Sequence, residues 1–199
     1  YSWNKNEKEV ENLLNLFPEI DKEPNYKEKP KHNHVLDIKL EKEFSPRHQR
    51  ARKTNTTVSK EIEDNFDKLL KQGAVIRGIS KIVSPLTVVR TKNGKPRVCV
   101  DYQYINQYTK IMSYPLPNID DLSSIIPVNS RVFSTLDLRE AYLNLPLTYR
   151  AQKVAAMISQ YGTFLPLRTT FGLKNAPMAF QRLMDDIMAP CHNFSFTYI

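Results

Sequence analysis

Carboxylates that converge from a strand end or a tight hairpin can hold two divalent ions about 4 Å apart, the arrangement that drives phosphoryl transfer. The chain offers four places to look for such acids. In Leu183-Met184-Asp185-Asp186-Ile187 two aspartates are adjacent, but the residues around them keep helical periodicity. Neighbours on a helix point about 100° apart, so Asp185 and Asp186 read as helix-surface acids. Asp120 and Asp121 fall in the first turn of a helix that Asn118 can cap, where negative charge suits the helix dipole. Asp101 follows Val98-Cys99-Val100 into a tyrosine-rich loop. Asp137 differs. It ends the apolar run Val132-Phe133-Ser134-Thr135-Leu136 and precedes Leu138-Arg139-Glu140-Ala141-Tyr142. An acid at the mouth of a strand, with an aromatic ring five residues on, suits a metal site beside a nucleotide sugar. On these residues alone a satisfied structural aspartate is the commoner outcome.

A second group is cationic. Leu86 to Thr91 and Arg97 to Tyr102 are β-rich runs around Asn93-Gly94, which predicts a hairpin with a type I′ turn. Its tip and flanks carry Arg90, Lys92, Lys95 and Arg97 with no acid among them. Such a hairpin is either a solvated turn or a cationic flap over phosphates. Cys99 and Cys191 lie far apart among apolar neighbours and read as small core residues of a reducing compartment. His32 and His34 have no Cys or acid near them at zinc-ligand spacing.

The elements that must position these groups follow from periodicity and stop signals. Val10, Leu13, Leu14 and Phe17 predict an amphipathic helix from Glu9 to Phe17, stopped by Pro18. A Lys/Glu/Pro/Asn connector follows, then the alternating run Val35–Leu40, one candidate strand. Ile62, Phe66, Leu69 and Leu70 predict a helix over 60–72 with Gly73 at its C-terminal stop, and Ala74-Val75-Ile76 a short strand. Arg131 to Leu138 reads as a buried strand, and Ala151–Ser159 and Thr163–Leu167 as further strands. A third helix spans Pro177–Met188 with Met178, Phe180, Leu183, Met184 and Ile187 facing inward, and Asn193–Ile199 reads as a strand cut short. Helices and hairpins without regular βαβ units make the fold class α+β.

The chain has 199 residues, 41% hydrophobic and 25% charged, which suits a soluble globular domain with a core of its own. No apolar run approaches a membrane span. The net charge of +8 is compatible with a polyanionic partner but does not demand one. The chain opens on Tyr1 and stops at Ile199 on an apolar run, which reads as a segment of a longer polypeptide.

Taken in order, the strings are recognisable. They are 68–73 (Lys-Leu-Leu-Lys-Gln-Gly), Ser84-Pro85, and 93–102 (Asn-Gly-Lys-Pro-Arg-Val-Cys-Val-Asp-Tyr). Then come Ile105-Asn106, Tyr114-Pro115-Leu116-Pro117, Asp120-Asp121-Leu122, and Leu136-Asp137-Leu138 through Ala141-Tyr142. The last are 171–177 (Phe-Gly-Leu-Lys-Asn-Ala-Pro), Phe180-Gln181 and Tyr198-Ile199. The chain resembles the reverse transcriptase of gypsy-type LTR retrotransposon Pol polyproteins and, more distantly, that of retroviruses. The resemblance covers residues 60–199; residues 1–59 look like the connector that follows the protease.

The resemblance implies the fingers and partial palm of a right-hand polymerase, truncated, with an irregular N-terminal extension. It implies RNA-directed DNA polymerase activity: two-metal nucleotidyl transfer of deoxynucleotides to a primer on an RNA or DNA template. Asp137 would be the catalytic acid and metal ligand, with the Leu138 backbone carbonyl beside the second ion, magnesium with manganese as an alternative. Glu140 and Ala141 would offer backbone N–H groups to the triphosphate. Tyr142 would wall off the sugar and exclude a 2′-hydroxyl. Arg97, with Arg90 or Lys92, would grip phosphates, and Phe171 and Gly172 would flank nucleotide and template. The family's other two catalytic aspartates would follow Tyr198-Ile199, so the 199-residue segment alone is expected to be inactive. Its partners would be primer–template, deoxynucleotides and the remaining palm, thumb and RNase H regions, with no membrane. Its setting would be cytoplasmic, in virus-like particles, with entry of the complex into the nucleus.

The sequence departs from the family pattern at Gln103 and Gln107, where basic residues are usual, at Thr170 in place of a proline, and at 154–157. A non-catalytic, nucleic-acid-binding remnant of a degenerate retroelement is the competing expectation.

Overall fold

The computed structural model describes residues 4–20, 22–91, 94, 96–118 and 129–198. Apolar residues four apart on the second helix, Ile62 and Phe66, must be buried together on one face. They are, against a sheet. Helix α1 spans Asn4–Asn15 and α2 Thr56–Gln72. The Asn55 side chain caps α2 by accepting from the Val58 N–H at 2.9 Å. Gly73 ends it in the left-handed conformation, φ 77°, with the Gly73 and Ala74 N–H groups returning to the Leu70 and Leu69 carbonyls.

The sheet has five strands: β1 (Val75–Arg77), β2 (Ser84–Arg90), β3 (Pro96–Val100), β4 (Met157–Ser159) and β5 (Gly162–Pro166). Their spatial order is β1-β5-β4-β2-β3. Only β2 and β4 are parallel, with Ser84 opposite Met157. The ring of Phe66 on α2 stacks on that of Phe164 on β5 at 4.2 Å between centroids, inside a cluster with Ile62, Val75, Leu86 and Met157.

Among the described residues three further helices follow, α3 (Gln103–Tyr108), α4 (Tyr149–Val154) and α5 (Ala176–Met188), with a 3₁₀ turn at Ala141–Asn144 and another at Ala189–Cys191. Tyr102, Ile105, Leu145, Leu147, Phe180 and Leu183 form a second cluster, and Leu36 and Ile38 from the N-terminal region are part of it. Residues 35–40 form no strand of their own. They contribute isolated bridges, Leu36 with Leu147 and Leu40 with Thr109. No helix among the described residues is long and apolar enough to cross a membrane.

Several elements depart from the sequence reading. Residues 131–138 form no strand and are exposed: Val132 is 85% and Leu136 91% accessible. A strand requires a hydrogen-bonding neighbour, and no described strand lies alongside this run. The same holds for 193–198, which are irregular. Residues 151–154 belong to α4, because the Thr148 side chain accepts from the Ala151 N–H and starts a helix. Strands β2 and β3 pair Arg90 with Pro96, so their connection is five residues long rather than two, with the Gly94 N–H bonded to the Thr91 carbonyl. Helix α1 ends before Phe17, and on α5 Ile187 faces outward, with Ala179 and Gln181 buried in the face instead. Cys99 and Cys191 are free and only half-buried. The helix expected after Asn118, with Asp120 and Asp121, lies outside the described residues.

Candidate active site

Aromatic rings arranged edge-to-face, with a cation at one end, make a graded path from solvent into the core. One such row joins four elements here. The Arg97 guanidinium on β3 lies over the Phe171 ring, 4.3 Å from its centroid. Phe171 meets Tyr142 edge-on at 5.3 Å, and Tyr142 meets the buried Phe180 of α5 at 5.7 Å. Burial raises the Tyr142 hydroxyl above the usual tyrosine range, which keeps it neutral.

Gly172 follows Phe171 with φ 95°. A Cβ there would sit 3.2 Å from the Val100 carbonyl oxygen and 3.5 Å from the Tyr102 ring, so glycine meets both a steric and a conformational requirement. Asn106 holds this turn at two points: its side-chain N–H donates to the Gly172 carbonyl at 2.7 Å, and its side-chain oxygen accepts from the Lys174 N–H at 3.0 Å. Beside it opens a cavity of about 380 Å³ lined by Arg52, Thr87, Asp101, Gln103, Asn106 and Gly172. Arg52 and Asp101 form an ion pair across it.

The loop from Asp137 to Tyr142 is joined to Phe171 through the Tyr142 ring. Asp137 and Leu138 are exposed, and Asp137 has no hydrogen-bond or ion-pair partner among the described residues. Glu140 adopts φ 50°, ψ 41° and precedes the 3₁₀ turn that carries Ala141 and Tyr142. Such a conformation in a non-glycine residue costs on the order of 1–3 kcal/mol, so it persists only where partners hold it. The Glu140 carboxylate accepts from the Lys68 ammonium at 2.7 Å and from the Tyr26 hydroxyl at 3.1 Å.

Of the hairpin cations, Arg97 is exposed and reaches Phe171, whereas Arg90 is ion-paired with Glu61 of α2 at 2.7 Å. The acid that neutralises Arg90 comes from another element, which a reading confined to the hairpin misses. Lys92, Lys95 and Asn93 lie outside the described residues. Asp185 accepts from Tyr114 at 2.6 Å and from Gln181 at 2.7 Å, and Asp186 pairs with His34 at 2.8 Å, so both acids of α5 have structural partners.

Divalent ions such as magnesium take hard oxygen ligands, and dedicated sites draw on several of them. Asp137 and the Leu138 carbonyl are donors of that type. No group of three or more His, Cys, Asp or Glu side chains able to hold a metal ion occurs among the described residues. One carboxylate and one carbonyl are fewer donors than a two-ion site needs.

Residues 89–199 match the family model described as reverse transcriptase (RNA-dependent DNA polymerase). The chain belongs to the reverse transcriptase family. It is 29% identical over 192 residues to the retrovirus-related Pol polyprotein from transposon 297 of Drosophila melanogaster, covering 92% of this chain and 18% of that one. To the Pol polyprotein from transposon gypsy of the same species it is 30% identical over 149 residues, covering 72% and 14%. The foamy viral protease–reverse transcriptase solved in complex with an RNA/DNA hybrid superposes with TM-score 0.81 at 22% identity, over 98% of this chain and 26% of that one. The chain thus spans roughly a seventh to a quarter of these three proteins, and its fold is that of retroviral reverse transcriptase polymerase domains. Members of this family use divalent metal ions.

Within this reverse transcriptase fold, several residues make positioning contacts that the sequence did not signal. Arg168 is buried and donates to the Tyr26 and Glu28 carbonyls at 2.7 and 2.8 Å. Thr170, a departure from the family pattern, bonds the buried Tyr102 hydroxyl at 2.9 Å while that hydroxyl donates to the Ala155 carbonyl. A threonine there supplies the one further partner a buried tyrosine oxygen can accept. Asn106 belongs to the Ile105-Asn106 string, and its hold on Gly172 arises only where the fold brings the two together.

Proposed function

We propose that this chain provides the fingers and part of the palm of an RNA-directed DNA polymerase that adds deoxynucleotides to a primer on an RNA or DNA template. The observation that carries the reading is the row Arg97–Phe171–Tyr142, which joins three residues assigned to the nucleotide by resemblance from three separate stretches of sequence. In this reading Arg97 meets the phosphates, a role the resemblance also gives to Lys92. Arg90, held by Glu61, contributes less. The backbone of Glu140 and Ala141 faces the triphosphate, Tyr142 sits against the sugar, and Phe171 and Gly172 border nucleotide and template. Asp137 and the Leu138 carbonyl are this chain's contribution to the catalytic ions, magnesium or manganese. The ions themselves would neutralise the charge of the transferred phosphate.

Residues 60–199 form the polymerase unit in this proposal and 1–59 its extension, although Tyr26, Leu36 and Ile38 of the extension are buried. The proposed setting is the cytoplasm, within virus-like particles, with access of the complex to the nucleus.

Primer extension by the complete polypeptide carrying this sequence tests the reading. Wild type should discriminate deoxynucleotides from ribonucleotides, and Tyr142→Ala should erode that discrimination while extension continues. Unchanged discrimination contradicts the sugar wall. Primer–template binding without any extension by wild type would favour a non-catalytic remnant.

A further inference from the structure

Glu140 is the one described non-glycine residue with positive φ. Groups from two distant parts of the chain converge on its carboxylate: the Tyr26 hydroxyl on Oε2 and the Lys68 ammonium on Oε1. The adjacent Arg139 donates to Glu23 at 2.7 Å, and Glu23 also accepts from the Gln72 side chain at 3.2 Å. Residues 23–28 are themselves fastened on both sides. The Tyr26 N–H donates to the Gln72 carbonyl at 2.7 Å. Its carbonyl and that of Glu28 accept from Arg168, whose guanidinium also lies 5.5 Å from the Tyr26 ring centre. Gly73 leaves room for the segment to cross the end of α2: a Cβ there would meet the Lys27 side chain at 2.4 Å. Burial, reinforced by the Glu140 carboxylate, raises the Tyr26 hydroxyl far above its ordinary range, so it remains a donor.

The segment before the polymerase unit is therefore built into the loop that carries Tyr142. We infer that Tyr26 and Lys68 are positioning residues: acting through Glu140, they fix the backbone from Glu140 to Tyr142 and thereby set affinity for the incoming nucleotide. This rests on the reading of that loop as nucleotide-binding. The left-handed turn at Glu140 directs the N–H groups that follow it, and without the two tethers a glutamate relaxes toward negative φ.

The test is steady-state primer extension by the complete polypeptide carrying this sequence, with nucleotide titrated on a fixed primer–template. Tyr26→Phe, which keeps the ring, and Lys68→Met should each raise the nucleotide KM roughly 3- to 10-fold, the factor one lost hydrogen bond is worth. The affinity for primer–template and kcat should change by less than about twofold, and Lys68→Arg should restore most of the loss. In a Glu140→Gly background, where glycine reaches the conformation unaided and no carboxylate remains, Tyr26→Phe and Lys68→Met should have no further effect. An unchanged KM in both single variants overturns the inference, as does a loss that persists undiminished in the Glu140→Gly background. Extension that survives Asp137→Asn overturns the underlying reading of the loop, and the inference with it.

Discussion

The Arg97 guanidinium carbon stands 4.3 Å from the centre of the Phe171 ring, which fixes the β2–β3 hairpin to the turn before Gly172. Arg97 is exposed, so its guanidinium is open to solvent while its carbon lies over the ring. Arg97→Gln should lower kcat/KM for nucleotides roughly ten- to hundredfold, as expected for losing a hydrogen bond to a charged group. Arg97→Lys should recover only part of this, since an ammonium cannot stack flat on the ring while holding a phosphate with a fork of donors. Steady-state kinetics with lysine equal to arginine would contradict a role for the stack.

Gly172 has φ 95°, and a Cβ there would crowd the Val100 carbonyl oxygen at 3.2 Å. Gly172→Ala should destabilise the protein by about 1–3 kcal/mol, the cost of a forced backbone conformation. The denaturant midpoint should fall with little change in slope. A stability equal to wild type would mean that the turn relaxes freely.

Phe66 and Phe164 stack at the centre of the contact between α2 and the sheet. Phe66→Ala should cost about 3–5 kcal/mol, combining lost apolar transfer with the cavity left behind. Equilibrium urea unfolding reads this directly.

Asp37 accepts from Thr148 at 2.7 Å and from Arg150, tying the N-terminal region to the start of α4. Burial pushes its carboxyl up, but the Arg150 and Thr148 bonds outweigh it, and the pKa lies below the ordinary aspartate value of 3.8. A folded pKa below the unfolded one means stability that is present above about pH 4 and lost as pH falls through the lowered value. Melting temperatures measured from neutral pH down to about pH 2.5 should show wild type and Asp37→Asn converging at the acid end. A constant difference across that range would contradict the ion pair's contribution.

Local chemistry made α2 legible: its apolar spacing, its glycine stop and the strand beyond it all depend on residues within a few positions of one another. The hairpin was legible for the same reason, although its turn length was not, because register is set by pairing along both strands rather than by Asn93-Gly94 alone. Residues 131–138 failed as a strand because pairing is a property of two segments, and the sequence of one cannot supply the other. Ala151–Val154 are compatible with either structure, and the Thr148 cap decides for helix. At the candidate site, residue types in order pointed to Asp137, Tyr142, Phe171 and Gly172. The partners of Arg90 and Glu140 were invisible, since Glu61, Tyr26 and Lys68 are ordinary surface residue types until the fold brings them together.

In the proposed function Asp137 serves the chemistry rather than the fold. Its exposure and lack of partners among the described residues mean that Asp137→Asn should leave stability intact. The decisive measurement is primer extension by the Asp137→Asn variant of the complete polypeptide, alongside its affinity for primer–template. The predicted result is extension abolished with affinity within a few-fold of wild type; extension at the wild-type rate would contradict it.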